Sequence, residues 1–542
     1  MKSQCLPFTQ IPHTTRLFTD FLAYSSSVRS FYPHSPHFGE WLTSQASALE
    51  YDSARRERVS AVLERQNKSW GASPQTLANL DRLRRGASAI VTGQQVGLFG
   101  GPMFAVYKAL SAVKLAEEAG AAGVDAVPVF WLATYDHDLA EVNHVSIPGP
   151  DGLRRTLTTS SHSVPGAPVS EVWLGEEILP IVEEAASLLG ESETTQLLRE
   201  SYRPGKTLGT AFAHFYAHLF AAWGVIVLDA SDPELHRIAG PIYRAAIEQV
   251  SEIDDALLAR GQALEAAGYH QQVKVTASSV LLFTLQNGAR TPIQRRANGN
   301  SAEFVIAGET ATDKLSSAEL IDRIATTPEN FSPSVLLRPV VQDYLLPTLA
   351  YAGGAAEAAY FAQAGAVYEK VLGRVTPIVP RFSATVVEPK VQRGLGKYGI
   401  TVLDTFQGPE ALRHTLAART LPADLQTAFE RANKAVDESF ARLNEALTKL
   451  DPTLVEASQT GVSKVHYQLD RLRERAMAAE LRRSEVIGRH AEGFSQALYP
   501  EGALQERGIA GVYYLARHGM ELLKGIYDAM RPDCLDHQIL EL

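Results

Sequence analysis

The sequence predicts an α/β protein in which a parallel β-sheet is wrapped by helices and followed by a C-terminal α-helical coiled-coil hairpin. Three observations carry this. Apolar runs of strand length alternate with segments of helical periodicity over most of the chain. A glycine-rich loop joins the first clear strand to the first clear helix. Beyond about residue 421, apolar residues settle into a spacing of four and three.

The first unit begins with Ala87-Ser88-Ala89-Ile90-Val91-Thr92, short and apolar like a buried strand. Gly93 to Pro102 is the loop. Met103, Val106, Leu110 and Val113 then recur at helical spacing, with Pro102 suited to the first turn. Ala126 to Ala133 is a second buried strand, which completes a β-α-β unit. A second unit follows: a helix over Phe212 to Trp223, a break at Gly224, and a strand over Val225 to Asp229. Val335-Leu336-Leu337 and Pro377-Ile378-Val379 read as further strands.

Two stretches read as insertions. Pro148 to Pro168, rich in Gly, Ser, Thr and Pro, is a loop by composition. Val280 to Leu285, Asn287-Gly288 and Thr291 to Ile293 form a β-hairpin, because Asn-Gly supplies the positive φ of a type I′ turn. The coiled-coil seam runs through Leu425, Phe429, Ala432, Val436, Leu443, Leu447 and Leu450, breaks at Asp451-Pro452, and resumes from Val462 to Ala479. The expected organisation is a core over 1–420 with insertions at about 148–210 and 268–330, an arm over 421–495, and a helical segment over 496–542 docking on the core.

Composition narrows the function. The chain has 542 residues, 45% hydrophobic and 21% charged, as in a soluble globular protein, and a formal net charge of −10. An acidic balance argues against a nucleic-acid binder, though not against a local basic pocket for a small anion. Neither a signal peptide nor a membrane span is expected. The two cysteines, Cys5 and Cys534, give no disulfide framework and no zinc spacing. A reducing, cytoplasmic setting is the simple expectation from them. Two nearby carboxylates argue against a Cys534 nucleophile.

Four polar clusters stand at expected strand ends, where open α/β sheets bind ligands. The loop Thr92-Gly93-Gln94-Gln95-x-Gly97-x-x-Gly100-Gly101 could hold an anion with its backbone N–H groups or be only a tight turn; it matches neither phosphate-binding nor dinucleotide fingerprints. Lys108 and Lys114 on the next helix read as solvated charges. Asp136-His137-Asp138, with Glu141, Asn143 and His144, could be a general base, a metal site or an acidic helix cap. Arg338, taken to end a strand, could bind a carboxylate or pair with Asp343. Gly353-Gly354 precedes a helix, and Arg381 follows the Pro377–Val379 run. One crevice could collect all four.

These residues, in this order, resemble the bacillithiol biosynthesis cysteine-adding enzyme family. The matching stretches are Thr92-Gly93-Gln94-Gln95-x-Gly97 with Gly101-Pro102 and Tyr107-Lys108, and Val129-Phe130-Trp131 with Asp136-His137-Asp138 and Asn143-His144. Further along come Gly268-Tyr269-His270, Arg338-Pro339 with Gln342 and Pro347-Thr348, and Gly353-Gly354 with Glu357 and Tyr360. Pro380-Arg381-Phe382-Ser383, Gln505-Glu506-Arg507 and His518-Gly519 complete the set. The sequence departs from the family pattern at Tyr135, where an acid is expected, at Asp343 in place of Glu, and at Gln271 in place of Pro.

The resemblance implies a Rossmann-like core with inserted connecting segments, a coiled-coil arm and a homodimer formed through it. It implies joining the carboxyl of cysteine to the amine of glucosaminyl malate. In that reading Asp136, His137, Asp138 and His144 are the catalytic candidates. Gln94, Gln95, Asn143, His270, Arg338, Gln342, Tyr360 and Arg381 are the substrate-binding candidates. Thr92, Gly93, Gly97, Gly100, Gly101, Gly353 and Gly354 are the backbone candidates for a bound anion. ATP with magnesium is the candidate activating group, with no flavin or nicotinamide, and the metal question at His137 and His144 stays open. Two alternatives remain at this stage: a nucleotidyl-transfer or synthetase-like enzyme for another acid and amine, and a non-enzymatic scaffold with a ligand-binding α/β module.

Overall fold

The computed structural model describes residues 1–542 except 161–162, 299–300, 308–313, 421 and 484. Those residues include part of the Pro148–Pro168 stretch, part of the second insertion and the expected first residue of the arm. The chain divides into two compact units: residues 1–385 with 506–540, and residues 386–505 with 541–542. The division falls earlier than 420, because the helices Pro389–Tyr398 and Pro409–Thr420 pack with Glu485–Leu498 inside the second unit.

The first unit is built on a five-stranded parallel sheet. Its strands are β1 (Ser88–Gln94), β2 (Ala126–Leu132), β3 (Ile226–Asp229), β4 (Thr348–Gly353) and β5 (Ile378–Pro380), in the order β5-β4-β1-β2-β3. β2 is buried along its whole length, as expected of a strand covered on both faces. Helices α1 (Met103–Ala121), α2 (Leu208–Leu219) and α3 (Ala355–Val371) are among its covers. The chain runs outward from β1 through β2 to β3 and places β4 and β5 on the other side of β1. The order therefore reverses between β1 and β4, and the crevice outside their carboxyl ends is where such sheets bind ligands.

A second sheet of five strands carries the hairpin. Ser279–Gln286 and Ala289–Asn298 pair antiparallel, and Asn287 and Gly288 take φ of 49° and 81°, as a type I′ turn requires. This hairpin is the middle of the sheet, with Ser301–Ile306 and Lys314–Ser316 beyond one strand and Phe331–Pro333 beside the other.

Three expectations are corrected. Val335-Leu336-Leu337 is not a strand: Leu337 caps a helix over Arg338–Leu345, because Pro339 at its first turn favours a helix start. The Pro148–Pro168 stretch is not all loop, since His144–Pro148 pairs antiparallel with Arg154–Thr158. The cysteines are bonded to each other, Cys5 to Cys534, with Cα atoms 6.2 Å apart. The count of two thiols thus lost its force as a sign of a reducing compartment; only the fold brings the two ends of the chain together.

The second unit holds the arm. Helices Ala423–Leu450 and Leu454–Arg483 pair as a hairpin, and the break falls at Asp451-Pro452 as the seam predicts. His466 ties them together, with ring nitrogens 2.9 Å from Asn433 Oδ1 and 2.8 Å from Asp437 Oδ1. No helix among the described residues is long and apolar enough to cross a membrane.

Candidate active site

A cavity of about 720 Å³ opens at the carboxyl ends of the sheet, all of it within the first unit. Its floor is the reversal between β1 and β4. Lys108, on α1, is buried there, and its ammonium donates to Gly93 O (2.6 Å), Gln94 Oε1 (2.9 Å) and Glu357 Oε1 (2.8 Å). Glu357, on the first turn of α3, also accepts from Tyr351 OH (2.6 Å) and Gly354 N–H (2.7 Å). Burial pulls Lys108 below the ordinary lysine range, and Arg381 and Arg338 add to this against the opposing pull of Glu357. Burial alone would raise Glu357, but Lys108 and the N–H and O–H donors hold it below the usual carboxylate range. A buried ion pair of this kind is held by its geometry: all three ammonium protons have acceptors.

Arg381 follows the edge strand β5. It donates to Phe382 O (2.6 Å) and to Glu506 Oε1 (2.6 Å), while Glu506 also accepts from Ser383 Oγ and Ala384 N–H at 3.0 Å each. Arg507, next to Glu506, lines the cavity from its exposed rim. Arg338 is buried over the Tyr351 ring (5.1 Å) and donates to Gln342 Oε1 and Tyr360 OH at 2.9 Å each. Gln342 donates onward to Asp343 Oδ1, so Asp343 serves the network behind Arg338 instead of pairing with it.

The opposite end is acidic. Gln95 Nε2 bridges two carboxylates, donating to Asp136 Oδ2 (2.7 Å) and Glu141 Oε2 (2.8 Å). Asp136 Oδ1 accepts the His137 backbone N–H (2.8 Å) and lies 3.5 Å from Arg290 Nη1. Arg290 comes from the inserted hairpin, is anchored by Ser332 Oγ and Pro333 O, lies over Phe283, and donates to His137 Nδ1 at 3.1 Å. Asp136 follows β2 and Arg381 follows β5, three strands apart, which is roughly 14 Å at about 4.8 Å per strand. The cavity is therefore polarised, cationic towards β5 and acidic towards β2.

The fold gathers Gly93, Gln94, Gln95, Asp136, Arg338, Gly354, Tyr360 and Arg381 around this cavity. Gln342 stands behind it, and His137 lies outside the lining, meeting it through Arg290, Asp136 and Phe283. Gly353 ends β4 at the cavity floor. Asp138 and His144 are exposed at the ends of the short helix Leu139–Val142 and of the strand His144–Pro148, with Asn143 between them. His270 is exposed and reaches Gln272 Oε1 at 3.3 Å. No cluster of three or more metal-ligating side chains occurs among the described residues.

The glycine-rich loop turns its donors inward. Thr92 Oγ1 donates to Ala352 O, Gly100 N–H to Tyr202 OH, and Gly101 N–H to Leu98 O. A Cβ at Gly97 would stand 2.9 Å from Gly101 Cα, so glycine there serves a close backbone approach. Past Gln95 the loop is thus a tight structural turn, and the cations that line the cavity are the side chains of Lys108, Arg290, Arg338, Arg381 and Arg507.

Sequence reasoning gave no site role to Lys108, Glu506 and Arg507, although they stand in the family-matching stretches, and it missed Arg290 altogether. Lys108 left one signal: it lies on a helix that is otherwise apolar on every side near it, where a charge must be paired. Arg290 left none, since the hairpin's approach is tertiary.

Models of two domains match the chain, the bacillithiol biosynthesis BshC N-terminal Rossmann-like domain over residues 1–382 and the BshC C-terminal coiled-coil domain over residues 384–542. Among relatives named "Putative cysteine ligase BshC", one from Koribacter versatilis is 48% identical over 542 residues, covering all of both chains. One from Solibacter usitatus is 36% identical, again over all of both chains, and one from Salinibacter ruber is 33% identical over 97% of this chain and 96% of its own. With a Rossmann-like sheet, a helical hairpin and family matches over nearly every residue, the chain belongs to the bacillithiol biosynthesis BshC family.

Proposed function

We propose that this protein is a cytoplasmic ligase that joins the carboxyl of L-cysteine to the amine of glucosaminyl malate, the last step of bacillithiol biosynthesis. The observation that carries the reading is the polarity of the cavity. An amino sugar bearing malate has an ammonium and two carboxylates, and the cavity offers an acidic end and a cationic end about one small ligand apart. Asp136 and Glu141, held together by Gln95, seat the ammonium, and Asp136 takes its proton, since only the free amine attacks. Arg338, Arg381 and Arg507 face the carboxylates. His137 positions Arg290 against Asp136. The family membership and the names of the relatives support cysteine as the acid.

An amide does not form from a free carboxylate in water, so the carboxyl is activated, and ATP with magnesium is the proposed activator. Arg507, at the rim, is the cation placed to meet its phosphates, since Lys108 and Arg381 are already held by Glu357 and Glu506. The pairing of two protomers through the coiled-coil arm belongs to the same proposal. The test is mass spectrometry of the protein incubated with cysteine and glucosaminyl malate, with and without ATP and magnesium. A thiol product at the mass of the amide, formed only with ATP, is the expected result. Absence of product from folded protein under every condition overturns the reading, and acid-dependent pyrophosphate exchange with another acid would replace cysteine.

A further inference from the structure

Two buried donors that line the cavity have no hydrogen-bond partner, and a buried guanidinium beside them has no carboxylate. Trp131, at the end of β2, is 1% exposed, and its indole N–H has no hydrogen-bond acceptor of good geometry. Tyr135, four residues on, is 7% exposed and its hydroxyl is likewise unmatched. Arg338 is 8% exposed, and no carboxylate among the described residues pairs with it. Its contacts to Gln342 and Tyr360 use two of the five N–H groups that a guanidinium carries. The other cations of the cavity interior are answered: Lys108 by Glu357, Arg381 by Glu506, and Arg290 by Asp136. Two polar hydrogens buried without partners beside a cation that lacks a carboxylate are costly to keep, and a ligand that accepts from all three would remove that cost.

The three belong to one place. The phenol of Tyr135 lies against the Trp131 indole and within the fields of Arg338 and Arg290, the latter 5.6 Å from its ring. Burial raises the phenol to about 12 despite those two cations, so it keeps its proton at neutral pH and can donate it in a hydrogen bond. The indole is a donor only, and so is the guanidinium.

We propose that Trp131, Tyr135 and Arg338 form a carboxylate subsite, in which an indole N–H, a phenol O–H and a guanidinium converge on one substrate carboxylate. It rests on the reading of the cavity as the ligase site and adds the residues that select an acid there. The indole and the guanidinium only donate and the protonated phenol can donate, so the set favours two carboxylate oxygens over a carboxamide, whose NH2 group would face the indole and the guanidinium. Tyr135 thus supplies a neutral donor at the position where the family pattern places an acid.

The carboxylate could be that of cysteine or one of the malate pair, and the test separates them. Calorimetric titration of the full chain with glucosaminyl malate and its diamide, and with cysteine and cysteinamide, is run for wild type, Tyr135→Phe and Trp131→Phe. One acid should lose about ten-fold or more in affinity in each variant, while its amide, already weak, is unchanged. The acid affected identifies the source. Tyr135→Phe keeps the ring and the packing, so it stands as the test if Trp131→Phe unfolds. Unchanged affinity for both acids in Tyr135→Phe overturns the subsite, as does a wild type that binds neither. An affinity loss in a protein that makes no amide upholds the subsite and sinks the ligase reading alone. Product formation with unchanged KM values in Tyr135→Phe does the reverse.

Discussion

The two ends of the cavity are built on opposite terms. Towards β5 and β4 the charges are buried and locked: Lys108 spends all three protons, Glu357 takes three donors, and Glu506 holds Arg381, Ser383 and Ala384 together. Towards β2 the groups are more open, with the Asp136 side chain 30% exposed and that of His137 39% exposed. Locked charges hold their protonation and cannot trade protons cheaply; open ones can. The difference teaches that fixed charge and exposed charge sit at separate ends; in the reaction we propose, the cationic end holds the anions and the acidic rim moves the proton.

The comparison breaks most visibly at Lys108. Lys108→Met leaves Glu357 buried without its cation and should destabilise the protein by about 3–5 kcal/mol in a urea titration. The double variant Lys108→Met/Glu357→Gln should recover most of that loss, because removing both charges also removes the desolvation cost. Equal losses in the single and double variants would mean the pair is not coupled.

Acid sharpens it next. His537 is fully buried between Ser383 and Thr385, behind the Arg381–Glu506 pair, and His236 is buried against Tyr243. Burial lowers each to about 4, whereas an unfolded histidine titrates near 6.5. Below about 6.5 the unfolded chain takes up protons that the folded one refuses. Stability is therefore full above that pH and lost as pH falls towards 4, by up to about 3 kcal/mol for each histidine. Asp254, raised to about 6 by burial, works in the opposite sense. Stability measured at pH 7 and 4.5 should fall more for the wild type than for His537→Gln; equal slopes would remove His537 from this account.

At the rim the effects should appear in turnover instead of stability. Asp136→Asn should lower kcat about 100-fold with little change in unfolding midpoint. A variant that keeps full turnover would move the base elsewhere. His137→Ala should cost less, roughly ten-fold, since the side chain acts through Arg290, and the protein should remain folded.

How far the sequence carried depends on the range of the interaction. The β1–loop–α1–β2 unit was legible because strand length, glycine placement and helical spacing are local. The Asn287-Gly288 turn was legible for the same reason, as the residues themselves set the φ angles. Arg338 was misplaced on a strand because three apolar residues do not distinguish a strand end from a helix entry, and the proline that decides it lies one residue on. Lys108 was read as a surface charge because its partner, Glu357, is 249 positions away.

By itself, then, the sequence determined the α/β class, the helical hairpin with its break at Asp451-Pro452, and the set of polar residues at strand ends. Tertiary structure alone decided which of them meet. Sheet order brought β1 beside β4 and set Glu357 on Lys108, while the packing of distant segments put the hairpin's Arg290 against Asp136 and joined Cys5 to Cys534. The physical reason is range: propensity and periodicity act over a few residues, whereas burial of charge is settled only when distant segments close on one another.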